Sequence, residues 1–212
     1  MARPQEKLKE SYTYADYLTW DDEIRYELID GVPYALAAPN TIHQRILRKL
    51  ILIIGNHLED KTCEMFFAPT EVRLFADENN KDHDVFQPDL FVICDKTKLD
   101  EKSYKGTPDF IIEILSPSTI EKDKIKKYNK YLIAKVPEYW IIEPENKNVS
   151  VFILDYNRYI HHIFGEKDKL SPSFYESCEI DIAEVFASVD IFEKKEKKNG
   201  KTSRKNERTI YL

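Results

Sequence analysis

Phe110-Ile111-Ile112-Glu113-Ile114-Leu115 is the stretch on which the fold turns. An apolar run of this length without Gly or Pro reads as a strand buried on both faces, as central strands of parallel sheets are. An acid in such a run is costly, because an unpaired carboxylate removed from water loses its hydration without return. Glu113 is therefore expected to be paired, protonated or bound to a metal ion. Upstream, Gln87-Pro88-Asp89-Leu90-Phe91-Val92-Ile93 opens a second strand-like run with Asp89 at its mouth. Two acids on neighbouring strands suggest a cation site.

Downstream of Glu113, Ser118-Thr119-Ile120-Glu121 has the capping-box pattern that starts a helix, here expected to run to about Ala134. A strand at Tyr139 to Ile142 follows. Strand, helix, strand at this spacing is a crossover unit, so part of the sheet is expected to be parallel and central. Further strands are predicted at Glu71 to Phe75, Leu90 to Cys94, Val149 to Leu154 and Tyr159 to Phe164, the later ones as an antiparallel meander. Nearer the N-terminus, Arg25 to Ala35 alternates around Asp30-Gly31, a strong hairpin signal, with Glu27 near the end of the first strand. After Pro39, Asn40 or Thr41 can cap a helix in which His43, Leu47, Leu50 and Ile54 share one face. The class is α/β: a mixed sheet flanked by helices.

The 212 residues, 42% of them hydrophobic, suffice for one domain with a sizeable core, placed at 11–189 between a short extension, 1–10, and a tail, 190–212. No run reaches the ~20 apolar residues of a membrane span, and Met1 to Lys7 lacks the apolar segment of a secretion signal. A cytoplasmic protein that does not engage a membrane is expected. Cys63, Cys94 and Cys178 are odd in number and far apart, so they read as separate thiols, with neither a disulfide framework nor a metal knuckle. Residues 191–212 hold eight Lys or Arg against three Glu, a charge of +5, which leaves −11 on the body from a total of −6. Such a body is ill suited to coating a nucleic acid wholesale, yet compatible with a local acidic metal pocket. The tail reads as a solvated end or as a basic arm that touches phosphates.

Asp109 is no partner for Glu113: four strand positions separate them by roughly 13 Å. Magnesium holds oxygens at about 2.0–2.1 Å and keeps waters, so two carboxylates must converge from adjacent elements, which Asp89 and Glu113 can do. A cation beside them would orient water and offset transition-state charge. On the crossover helix Ile120, Lys124, Lys127, Tyr128 and Tyr131 fall within one arc, so periodicity leaves Lys124 and Lys127 both open. Asp123, Lys127 and Tyr131 also form a row at i, i+4 and i+8, in which Asp123 can hold the lysine.

Plainer readings stand beside these. Glu113 can be neutralised by a structural Lys or Arg, Asp89 can serve a turn, His43 can cap or fill the core, Glu27 can pair with Arg25 or Arg73, and the lysines can be solvated. His161 and His162 point to opposite faces of one strand and cannot grip one metal. The chain has no Gly-x-Gly-x-x-Gly, Gly-Lys-Ser/Thr or Gly-x-Ser-x-Gly, which leaves dinucleotide, P-loop and serine-hydrolase chemistry without a foothold.

Taken in order, Tyr26-Glu27-Leu28-Ile29-Asp30-Gly31, His43, Gln87-Pro88-Asp89-Leu90, Pro108 to Thr119 and Glu138-Tyr139-Trp140-Ile141-Ile142 resemble the Uma-type bacterial family grouped with the restriction endonucleases. The match covers about residues 11–187. The resemblance implies the PD-(D/E)xK nuclease fold and Mg²⁺-dependent hydrolysis of phosphodiesters, Mn²⁺ substituting, with Asp89 and Glu113 as catalytic metal ligands. It also implies DNA as substrate and a homodimer, whose two sites can address both strands. In the wider nuclease pattern a lysine stands two positions after the strand acid, where this chain has Leu115. Either the ammonium comes from elsewhere, or the protein is an inactive nuclease-fold binding or interaction protein. The resemblance selects Lys127, in the Asp123, Lys127, Tyr131 row, as the third catalytic residue, and places Glu27 and His43 in the pocket.

Overall fold

Each strand acid acquires its neighbours from the strand order. The computed structural model describes residues 9–21, 23–116, 122–175 and 177–187. The expected tail at 190–212, most of the expected N-terminal extension and the expected helix start at Ser118 to Glu121 lie outside the described residues. In chain order the elements are α1 (Tyr14–Tyr17), β1 (Tyr26–Ile29), β2 (Val32–Ala35), α2 (Thr41–Leu58), β3 (Glu64–Phe67), β4 (Glu71–Val72), β5 (Leu90–Ile93), β6 (Ser103–Tyr104) and β7 (Phe110–Ile114). After a π-helical stretch, Lys122–Lys127, come α3 (Tyr128–Ile133), β8 (Glu138–Glu143), β9 (Asn148–Asp155), β10 (Arg158–Gly165), β11 (Lys169–Leu170) and β12 (Ile180–Asp181).

The main sheet has the order β10-β9-β8-β7-β5-β3. Its one parallel pair is β7–β8, joined by the expected crossover; the other pairs are antiparallel, including the β8-β9-β10 meander. All five residues of β7 are buried, because helices cover both faces. On one side α2 contributes Ile46, Leu47, Leu50 and Ile54 to a core with Leu90, Val92, Phe110, Ile112 and Trp140. On the other, Tyr131 and Val136 pack with Phe91, Ile93, Ile111 and Tyr139. Each large side chain buried in this way contributes roughly 1.5–3 kcal/mol.

At the β1–β2 turn Asp30 and Gly31 both take positive φ, 53° and 72°. A two-residue hairpin requires that geometry, and a Cβ on Gly31 would lie 2.0 Å from Ser11 Oγ. Among the strands and their neighbours the structure departs from the expectations in three places. The strand predicted at Glu71 to Phe75 ends at Val72, because Arg73 turns inward to a buried ion pair with Asp82. Strand β3, not foreseen, pairs with β5 at the sheet edge. Cys63 and Cys94, taken as separate thiols, form a disulfide. They extend the β3–β5 register by one step beyond Glu64 and Ile93, an opposition that a 31-residue separation does not reveal.

Candidate active site

Register brings the two strand acids together. Leu90 pairs with Ile112 and Phe91 with Ile111, so one further step sets Asp89 opposite Glu113. Opposed residues of an antiparallel pair project to the same side, with Cβ atoms about 4.5–5.5 Å apart. Asp89 Oδ2 accepts the Ile114 N–H at 2.7 Å and lies 3.0 Å from His43 Nε2. Asn40 fixes that histidine in the first turn of α2 by accepting the His43 N–H at 2.9 Å. The other ring nitrogen, Nδ1, is buried and without a hydrogen-bond partner among the described residues.

Glu113, 2% exposed, meets an equally buried ammonium. Lys127 Nζ lies 2.7 Å from Glu113 Oε1, 2.8 Å from Glu27 Oε1 and 3.5 Å from Asp123 Oδ1. Tyr131 Oη donates to the same Glu113 oxygen at 2.8 Å, and the Gln87 N–H donates to Glu27 Oε1 at 2.9 Å. The inward row is thus Asp123, Lys127, Tyr131. Lys124 points outward to Glu143 at 2.8 Å. Helical periodicity could not choose between the two lysines because this segment is π-helical, with a wider turn than the 100° spacing assumes.

Charge bookkeeping explains the titration of the cluster. Glu27, Glu113 and Asp123 surround one ammonium, with Asp89 alongside. Burial pushes Glu113 up to about 8, with Asp123, Asp89 and Glu27 adding to the rise and Lys127 opposing it. For Lys127, burial alone would favour loss of the proton, but the Glu113 and Glu27 carboxylates outweigh it and hold the group well above its ordinary value. Burial, then Glu113, raises the Tyr131 phenol, which stays protonated as a donor.

Glu27, His43, Asp89, Glu113, Asp123 and Lys127 line one cleft of about 770 Å³, together with Arg25, Tyr34, Gln87, Ser116 and Lys126. Lys126 Nζ sits 5.2 Å from the centre of the Tyr34 ring. A divalent cation fits the donor chemistry, since the groups are carboxylate oxygens, the kind that Mg²⁺ selects. Among the described residues no three His, Cys, Asp or Glu side chains form a closed cage, so a cation would take two carboxylates and keep waters. Described bonds to Asp89 reach Oδ2 and those to Glu113 reach Oε1, leaving the second oxygen of each for a ligand.

All five residues named from the sequence, Asp89, Glu113, Lys127, Glu27 and His43, therefore border one cleft. Glu27 pairs with Lys127; Arg73 belongs to Asp82. Asp109 lies apart and accepts the Cys94 N–H at 2.7 Å. His161 stacks on Phe152 away from the cleft, with ring centres 4.4 Å apart. Sequence reasoning missed Gln87, whose signal was its place two residues before Asp89.

The mixed six-stranded sheet with helices on both faces is a restriction-endonuclease-like architecture. Residues 14–183 match the Uma2 family, described as "Putative restriction endonuclease", and the chain belongs to that family. The fold is also that of a solved structure from Anabaena variabilis, entitled a "putative nuclease belonging to DUF820". The two align with a TM-score of 0.69 at 21% identity, covering 82% of this chain and 97% of the other. A curated relative, "Uncharacterized protein slr1290" from Synechocystis sp., is 28% identical over 118 residues, 55% of this chain. The chain spans 60% of that relative's length.

Proposed function

We propose that this chain is a Mg²⁺-dependent endonuclease that hydrolyses DNA phosphodiester bonds, with Mn²⁺ able to substitute. The observation that carries the reading is the opposition of Asp89 and Glu113 across β5 and β7, beside the buried Lys127 ammonium. Asp89 and Glu113 are the residues to hold the cation, which when bound supplies Lewis-acid charge at the phosphate and makes water more acidic. The His43 imidazole and the Ile114 N–H fix the Asp89 carboxylate. Glu27 and Asp123 fix Lys127, which offers its ammonium where charge develops on the phosphate oxygens. In the hydrolysis a water oxygen forms the new bond to phosphorus as the bond to the leaving sugar oxygen breaks with its electron pair. Water gives up one proton to solvent, and the leaving oxygen takes one back.

Arg25 and Lys126 at the rim suit contact with the flanking phosphates. A homodimer would present two such clefts to the two strands of a duplex. Leu115 favours a second reading, an inactive nuclease-fold binding protein, while the Lys127 ammonium on Glu113 favours the first. Cleavage of plasmid and single-stranded DNA with Mn²⁺ separates them. Asp89→Ala, Glu113→Ala and Lys127→Ala should each lose on the order of 100-fold or more, and Lys124→Ala should retain the parent rate. Intact DNA bound by the parent protein would favour the second reading, and cleavage that survives Glu113→Ala would overturn the first.

A further inference from the structure

Gln87 is 6% exposed, lines the cleft two residues before Asp89, and has only part of its polar capacity in use. Its N–H holds Glu27 Oε1, and its Nε2 lies 3.4 Å from Tyr17 Oη. Its Oε1 is buried with no hydrogen-bond partner among the described residues. A glutamine amide can face either way, and its neighbours must decide.

Tyr17 decides it. Burial and the nearby Glu71 carboxylate raise its phenol, so the proton stays on Tyr17. Gln87 turns its NH₂ to Tyr17 Oη, which leaves its carbonyl oxygen over. The anchor is itself held. Thr13 and Asp16 close a capping box at the start of α1, and Tyr14 Oη donates to Glu71 Oε2 at 2.8 Å.

A buried acceptor left over calls for a donor. His43, which lines the same cleft, has a second buried polar atom, Nδ1, without a hydrogen-bond partner among the described residues. Water is the donor that every hydrolysis brings. That water attacks through an oxygen lone pair, and the lone pair is aimed only when both hydrogens have acceptors. We propose that Gln87 Oε1 accepts a hydrogen bond from the attacking water, making Gln87 a further catalytic residue and Tyr17 its positioning residue. The assignment rests on the hydrolytic reading above.

Gln87→Met keeps the length of the side chain and removes the amide; Tyr17→Phe removes a single oxygen. Each is to be compared with the parent by single-turnover cleavage with Mn²⁺, by Mn²⁺ and DNA affinity, and by water-proton relaxation of the Mn²⁺-loaded protein, which reads water and not turnover. Gln87→Met should slow cleavage on the order of 10- to 100-fold, with both affinities within about twofold of the parent and with altered relaxation. Tyr17→Phe should give a smaller loss of the same kind, and no further loss in the Gln87→Met background. Parent-like cleavage by Gln87→Met overturns the assignment, as does a loss confined to DNA affinity, which would make Gln87 a reader of a substrate N–H or O–H. Additive losses in the double variant also overturn it. A parent that neither binds Mn²⁺ nor cleaves overturns the hydrolytic reading, and this assignment with it.

Discussion

Replacing Lys127 with Met removes a charge while nearly conserving volume, so its effect isolates electrostatics from packing. In the native protein the ammonium serves Glu113 and Glu27 at 2.7 and 2.8 Å, with all three residues essentially excluded from solvent. Removing one partner of a buried pair costs about 3–5 kcal/mol, because the other partner stays buried without compensation. For a domain of this size that corresponds to a fall in Tm of roughly 6–20 °C. The loss carries a signature. Without Lys127 the folded carboxyl groups hold their protons to still higher pH, so relative to the parent the destabilisation grows as pH rises through about 8, where Glu113 ionises in the parent. Adding Glu113→Gln to Lys127→Met should return much of the lost stability. So should Mg²⁺ or Mn²⁺, by about 2.7 kcal/mol at a hundredfold excess over Kd. Urea denaturation at several pH values measures all of this. A Lys127→Met variant within about 1 kcal/mol of the parent and indifferent to pH would refute the reasoning, since a packing defect has no such pH dependence.

Other outcomes follow from the same geometry. In metal-free buffer Glu113, raised from 4.5 to about 8, contributes stability that is fully present below pH 4.5 and lost as pH rises through 8. Relative to Glu113→Gln the parent should lose up to about 1.4 kcal/mol per pH unit in that window, and parallel urea midpoints at about pH 5.5 and 8.5 would contradict this. Asn40→Ala removes the cap that seats His43 and should cost about 1 kcal/mol in thermal unfolding; an unchanged Tm would show that the cap is idle. Under denaturing conditions the oxidised protein should titrate one thiol, Cys178, and the reduced protein three. Three thiols without reductant would mean that Cys63 and Cys94 are unpaired.

Much of this arrangement was legible because local chemistry and global fold agree on it. The uninterrupted apolar run around Glu113 marked the central strand, Asp30-Gly31 fixed the hairpin, and the crossover spacing set β8 parallel to β7. From two adjacent strands, the opposition of Asp89 and Glu113 followed by register. What stayed hidden depended on departures from regular geometry or on distant partners. The π-helical stretch turned Lys127 inward and Lys124 outward, which no 100° wheel distinguishes. Arg73 left its strand for Asp82, and Cys63 met Cys94 only because the unforeseen β3 joined the sheet. The bond from Gln87 to Glu27 is made by main-chain N–H, and side-chain identity carries no trace of such a contact.

The central claim is that Asp89 and Glu113 together hold one divalent cation beside Lys127. Calorimetric titration of the metal-free protein with Mn²⁺ tests it most directly, using the parent, Asp89→Asn and Glu113→Gln. One site per chain is expected in the parent, with proton release on binding below about pH 8 as Glu113 ionises, and a loss of that site in both variants. Undiminished Mn²⁺ binding by either variant would contradict the account.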